Sequence, residues 1–405
     1  MPFRVALSGL NAASSELNVI ANNIANANTA GFKNSRAEFA DVFATGGAGS
    51  GSAAIGSGVR LASVTQQFNQ GNIEFTESSL DLAINGQGFF TLRDGSGYVY
   101  TRAGGFGVDR DGFVVNSQNQ RLQVFESVEG GGFNTGSLID LRLQTTQSTP
   151  SATTSGSVVV NLPADAEPPP VATFDPADPL SYSHSTSSAV YDSLGNLHQA
   201  TFYFMKTGTA NQWEVAMAVD GNLVDDPQTL EFTAAGAQTV PAGGDVAFPA
   251  YDPGNGADPL TMSFDFSGST QFGGPFSVSS LVQDGFSSGR LTSIDISDSG
   301  VVFARFTNGR AIELGKVALA NFPNVQGLRQ LGKTTWGESF ASGGVIMGEA
   351  GSASYGLVQS GALEDSNVDL TKELVQMITS QRSFQANAQM ISTADSITQT
   401  IINIR

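Results

Sequence analysis

The chain has 405 residues, too many for one hydrophobic core, and only 14% of them are charged against 47 glycines, which suits two or three turn-rich domains. A net charge of −18 excludes the basic surface that nucleic acid requires, and the lack of cysteine excludes disulfides and thiolate metal sites. No run approaches the ~18 apolar residues of a membrane span, and the start Met-Pro-Phe-Arg-Val-Ala-Leu-Ser-Gly lacks the apolar core and cleavage site of a secretory signal.

The first expected element is a helix. Phe3, Leu7, Leu10, Ser14, Leu17, Ala21 and Ile24 alternate steps of four and three, with Ala6, Ala13, Ile20 and Ala27 beside that seam, the period of a coiled coil. Asn22, Asn23, Asn26 and Asn28 crowd its end, and Gly31 is placed to stop it, because glycine takes left-handed angles freely. Phe32 leads into a connector region, 33–70, built around a Gly/Ala/Ser tract at 45–58. Gly56-Ser-Gly58 follows no strand and opens no helix, so a phosphate loop is rejected there.

Strand patterns begin near Val59. Asn85-Gly86, Asp94-Gly95 and Asp111-Gly112 each predict a tight hairpin turn, and Leu82, Ile84, Phe89, Phe90, Leu92, Tyr98 and Tyr100 supply the apolar packing. Asp109-Arg-Asp111-Gly112 has the look of a calcium-loop fragment, but it lacks the later oxygen ligands and reads as a turn. At Thr145 the composition shifts to a Ser/Thr connector, 145–157, and a Pro-rich stretch, 163–179, precedes strands at 189–191, 199–205 and 213–219. After Asp284-Gly285 the earlier hairpin style returns, with turns at Ser299-Gly300 and Asn308-Gly309.

The last element is the longest. Ser366-Asn-Val-Asp369 reads as a capping box, and Leu370, Leu374, Met377, Gln381, Phe384, Ala388 and Ile391 repeat the four-three alternation. The seam then shifts to Met390, Ala394, Ile397, Ile401 and Ile404, and with no Gly or Pro inside the run a helix of roughly 50 Å follows. Two seamed helices at opposite ends of one chain most simply pair with each other. The expected fold class is α+β, mainly β. Paired terminal helices (1–32 and 363–405) carry a discontinuous β domain (71–145 and 284–362), which holds an inserted β domain (146–283).

Catalytic chemistry has little to build on. His184 and His198 are the two histidines, each in a Ser/Thr or strand context without a Gly-x-Ser-x-Gly elbow. Trp213 and Trp336 are too far apart in sequence for a sugar platform. Nothing demands an enzyme, a cofactor or a metal.

One resemblance is specific. Asn22-Asn-Ile-Ala-Asn-Ala-Asn-Thr-Ala-Gly-Phe-Lys33 is similar to the N-terminal signature of the bacterial flagellar rod and hook axial protein family. Leu80-Asp-Leu-Ala-Ile-Asn-Gly-Gln-Gly-Phe-Phe90 and Thr101-Arg-Ala-Gly-Gly-Phe106 resemble its β motifs. Ser366-Asn-Val-Asp-Leu370 and Gln381-Arg-Ser-Phe-Gln-Ala-Asn-Ala388 resemble its C-terminal helix. The motif positions are Asn22, Asn23, Asn26, Gly31, Phe32, Leu82, Asn85, Gly86, Gly88, Phe89, Phe90, Asn367 and Asp369. Rod members are shorter and lack the large insertion, so the resemblance is to the hook branch.

That resemblance implies a self-assembling subunit of a hollow, flexible helical tube, a universal joint that passes torque from rod to filament. It implies export through the flagellar type III apparatus without a cleaved signal, and a place outside the cell in the flagellum. The implied partners are other copies of the chain, the rod and hook–filament junction proteins, and the hook cap and export apparatus during assembly. Phe3, Leu7, Leu10, Leu17, Ile24, Leu370, Leu374, Met377, Phe384, Ile391, Ile397 and Ile401 are then the expected assembly contacts. Two other classes compete: a secreted β-rich adhesin or carbohydrate-binding protein on helical stalks, and a glycan-cleaving enzyme with two facing carboxylates.

Overall fold

The structure is a computed structural model that describes residues 2–42, 56–128, 131–143, 147–352 and 354–403. Most of the Gly/Ala/Ser tract, the start of the Ser/Thr connector at Thr145 and the last seam residue, Ile404, lie outside the described residues. Two compact units emerge. One comprises residues 1–143, 293–305 and 311–405, and the other residues 144–292 and 306–310.

The first unit opens and closes with helices, α1 (Pro2–Ala25) and α2 (Leu370–Asn403). They run antiparallel: Asn23 meets Glu373, Glu16 meets Gln376, and Gly9 lies against Asn387. The helix start differs from the expected capping box. Asp369 alone is the cap, its Oδ1 accepting from the amides of Thr371 at 2.9 Å and Lys372 at 3.1 Å. A carboxylate suits that position because it also meets the positive end of the helix dipole. Nor does Gly31 end α1. The helix stops at Ala25, where the Asn26 side chain turns back to the Asn22 carbonyl at 2.9 Å.

Residues 33–70, read as a connector, form a two-stranded ribbon in which Ser35–Asp41 pairs antiparallel with Val59–Gln66. Beyond it, the main sheet interleaves the two flanks of the chain. Its order runs Leu291–Ile296, Val301–Phe306, Ala311–Asn321, Arg121–Ser127, Phe89–Asp94, Gly97–Thr101, Thr335–Gly337, Arg329–Gly332. Leu82, Phe90, Leu92 and Val124 from the early strands pack with Val302, Val317, Leu319 and Val358 from the late ones. A second cluster stacks Phe89, Tyr100, Phe322 and Trp336 edge to face, a geometry favoured by the ring quadrupoles.

The turn dipeptides divide. Asp94 caps the two-residue loop between Phe89–Asp94 and Gly97–Thr101, accepting from Ser96 N at 2.7 Å, and Asp109 holds the Asp111-Gly112 hairpin through Phe113 N at 2.8 Å. Asn85-Gly86 makes no hairpin. Its strand, Leu82–Asn85, pairs with the distant Leu357–Ser360, and Gly86 at φ +121° passes so close to the Gly356 backbone that a Cβ would sit 2.8 Å away. Glycine there serves a backbone crossing rather than a local turn.

The second unit contains a six-stranded sheet centred on Leu197–Lys206 and Gln212–Val219 and a five-stranded sheet centred on Ser155–Pro163. Phe202, Phe204, Trp213 and Met217 from one meet Val158, Val160, Met262 and Phe264 from the other in a shared core, as in a β-sandwich.

Candidate assembly site

The helix pair and the chain segments at its root gather most of the motif residues. The intrachain seam is narrow and made of small groups. Ala6, Ala13, Ile20 and Asn23 of α1 are buried, with Gly9 and Glu16 between them at the same spacing. Opposite lie Glu373, Met377, Ser380, Phe384, Asn387, Ile391 and Ala394 of α2. A Cβ on Gly9 would come within 2.6 Å of the Asn387 side chain, so the helices approach closely there.

This seam is rotated by one residue from the sequence expectation on α1. Met377, Phe384 and Ile391 do enter it, and Leu10, Leu17 and Ile24 flank it half-buried. Phe3, Leu7, Leu370, Leu374 and Ile397 do not; each is between 42% and 56% exposed. The side chain of Ile401 lies outside the described residues. The physical reason is size: alanine and glycine permit close backbone approach, which leaves the larger apolar groups on the adjoining flank. Val375 and Ile378 are likewise exposed, so these apolar side chains are left uncovered by the described residues.

At the root of the pair a buried ionic knot joins both ends of the sequence. Glu364 is wholly buried; its Oε1 lies 2.6 Å from Lys33 Nζ and its Oε2 3.1 Å from an Arg102 terminal nitrogen. The same Oε1 accepts from Gly71 N at 2.9 Å, and the Glu364 carbonyl accepts from Gly31 N at 2.7 Å. Lys33 also donates to the Asn69 carbonyl, and Arg102 to those of Ile84 and Gly86. Burial pushes the Lys33 and Arg102 pKa values down, and the Glu364 carboxylate offsets only part of that fall.

Asparagines lock the surrounding backbone. Asn23 is 1% exposed and grips Ser35 from both sides, accepting from its N–H at 2.9 Å and donating to its carbonyl at 2.8 Å. Its amide also reaches Glu373 Oε1 at 3.2 Å, which offsets part of the burial that pushes the Glu373 pKa up. Asn367 accepts from Asn34 N at 2.7 Å and donates to the Gln67 and Asn69 carbonyls. Gly31, at φ +68°, lies so near the Ala103 backbone nitrogen that a Cβ would stand 2.4 Å from it. Phe32 offers its carbonyl to Asn367 N, and Asn22 and Asn26 bond to each other. Leu82, Phe89 and Phe90 belong to the cores above, and Gly88 takes φ +124° beside Tyr355.

Sequence reasoning missed the knot, although Lys33 and Arg102 stand inside the quoted motifs and Glu364 just ahead of Ser366-Asn-Val-Asp369. Beside it runs a groove of about 710 Å³ lined by amides and carboxylates, among them Glu16, Asn23, Asn367 and Glu373. Neither histidine is near it in sequence or unit. His198 is clamped between Asp220 at 2.6 Å and Asp192 at 3.3 Å, and His184 stacks on Phe276. Among the described residues, no group of three or more His, Cys, Asp or Glu side chains is arranged to hold a metal ion.

Four family models match in sequence order. They are the flagella basal body rod protein at residues 3–33, the flagellar hook protein FlgE/F/G D1 domain at 83–166, the flagellar basal body protein FlaE D2 domain at 161–286, and the flagellar basal body rod FlgEFG protein C-terminal region at 359–404. The flagellar hook protein FlgE of Escherichia coli is 38% identical, with all of both chains covered. That of Salmonella typhimurium is 37% identical, again with both chains fully covered, and that of Borreliella burgdorferi is 32% identical with 98% of each covered. The crystal structure of Helicobacter pylori flagellar hook protein FlgE2 matches the fold with a TM-score of 0.55, at 16% identity, over 72% of this chain and all of that one.

Proposed function

Since the chain belongs to the flagellar hook protein family and is a structural subunit of the bacterial flagellar hook, we propose that it builds a hollow, flexible helical tube from copies of itself, with the terminal helices as the axial contacts. The observation that carries this reading is the uncovered apolar flank of the helix pair. Phe3 and Leu7 on α1, with Leu370, Leu374 and Ile378 on α2, stand about half exposed beside a seam too small and polar to need them. Burying such side chains is worth about 1.5–3 kcal/mol each, and head-to-tail contacts that do not close make an open helical polymer.

In this tube the helical ends (1–32 and 363–405) line the channel, and the discontinuous β domain (71–145 and 284–362) forms the wall. The subunit works outside the cell, in the flagellum. It meets the rod and the hook–filament junction proteins at the two ends of the tube, and the hook cap and export apparatus while it grows. Its role is mechanical, with no catalysis, cofactor or metal.

The test is Leu374→Asp. The side chain is half exposed in the single chain, so the folded monomer is retained, while each copy places a charge in a buried axial contact. Electron microscopy is expected to show no tubes from this variant. Tubes of normal length from Leu374→Asp would overturn the assignment of this flank to assembly.

A further inference from the structure

The most exposed large apolar side chain in the described residues is Phe340, at 106% of its reference exposure. It does not hang from a loose loop. Ser342, buried at 0%, accepts from Ser339 N at 2.9 Å and donates to the Ser339 carbonyl at 2.8 Å. Asn324 donates to the Ala341 carbonyl at 2.9 Å, and the Ser339 hydroxyl donates to the Gly327 carbonyl. Gly327 passes so close beneath the loop that a Cβ would meet the Ala341 carbonyl carbon at 2.4 Å. Four residues earlier the chain buries Trp336 to 1% in the aromatic cluster, yet Phe340 is left outside it. The backbone therefore presents Phe340 to solvent in a fixed position, a preorganisation that lowers the entropic cost of a contact.

The setting identifies the contact's chemistry. Phe340 follows the hairpin Arg329–Gly337, whose outer strand, Arg329–Gly332, ends the main sheet and carries exposed Leu331. That hairpin carries Arg329 and Lys333 at its outer end, with the exposed Glu338 between it and Phe340, a local excess of one positive charge on a chain of net charge −18. A basic edge beside an apolar knob fits an acidic partner, and in a polymer of identical subunits the acidic partner at hand is the next copy.

We propose that Phe340 is a knob that inserts into a second copy of this chain, a wall contact separate from the axial helices. The inference rests on the self-assembly reading above. Within that reading the contact is head-to-tail, each copy's knob entering the next, the type that propagates rather than closes.

The experiment uses the full chain with Phe340→Ser, with Phe340→Leu beside it, and a photoreactive benzoylphenylalanine placed at position 340. Because Phe340 is fully exposed in its own chain, the urea unfolding midpoint of Phe340→Ser is expected to match wild type. Its critical concentration for tube formation should rise about tenfold or more, with a smaller rise for Phe340→Leu, which keeps an apolar knob. Illumination of wild-type-like tubes should join one copy to another. Unchanged critical concentration, a lowered unfolding midpoint, or a photoproduct that never contains two copies would each overturn the knob. Failure of the wild-type chain to form tubes would instead overturn the reading on which it rests.

Discussion

Glu364→Gln is the sharpest perturbation available, because one atom exchange removes the counter-charge of two buried cations. The glutamine keeps the shape of the side chain and an oxygen to accept from Gly71 N, now 2.9 Å away. What it loses is the negative charge 2.6 Å from the Lys33 ammonium and 3.1 Å from the Arg102 guanidinium. Breaking a buried ion pair costs about 3–5 kcal/mol, because the remaining charge has been stripped of water without compensation. With a urea slope of about 2–3 kcal/mol per molar, the midpoint of the first unit should fall by roughly 1–2 M. The two tryptophans make the assay local, since Trp336 lies in the first unit and Trp213 in the second. In a Trp213→Phe background, Trp336 fluorescence then reports the unit that holds Glu364. Adding Lys33→Met should return part of the loss, since one stranded cation goes with it. A shift below about 0.3 M would refute the view that the knot is a dry, mutually dependent set of charges.

Two other outcomes are expected. In the second unit the Asp220 and Asp192 carboxylates outweigh burial and hold the His198 pKa above its usual value, so the stability this contact contributes is complete below about pH 6.5 and is lost as pH rises through the folded value; the Trp213-reported urea midpoint should decline on that alkaline side, and a His198→Asn variant that declines identically would remove the cause. In the helix pair, the seam includes Glu373, Ser380 and Asn387, so amides of α2 should exchange quickly in the monomer and slowly in tubes, and strong protection across Leu370–Asn403 before assembly would show that the pair is stable unaided.

The helices, the β-rich body and the family signature were legible in the sequence because each has a local code. Periodicity marked α1 and α2, and hairpin chemistry marked Asp94-Gly95 and Asp111-Gly112. The seam's exact face was not, since large apolar residues ordinarily mark the buried side, whereas here Ala6, Gly9 and Ala13 face the partner helix. The strand beginning at Val59 was legible, but its partner Ser35–Asp41 escaped because it is nowhere deeply buried and a bulge at Glu38/Phe39 breaks its alternation. The knot escaped for a different reason. Lys33, Arg102 and Glu364 are ordinary surface residue types until 331 residues of separation between the first and last are folded away.

The alternation of early and late strands has a consequence for how the molecule polices itself. Ala311–Asn321 lies directly between strands of the first flank on one side and Val301–Phe306 on the other, and Thr335–Gly337 is laid against Gly97–Thr101. A chain cut short anywhere before these arrive has a half-built sheet, naked strand edges and two cations with no anion to meet. If the chain polymerises as proposed, a copy terminated before these strands arrive lacks the folded body that its neighbours would contact, and the sheet's topology alone would keep it out of the polymer.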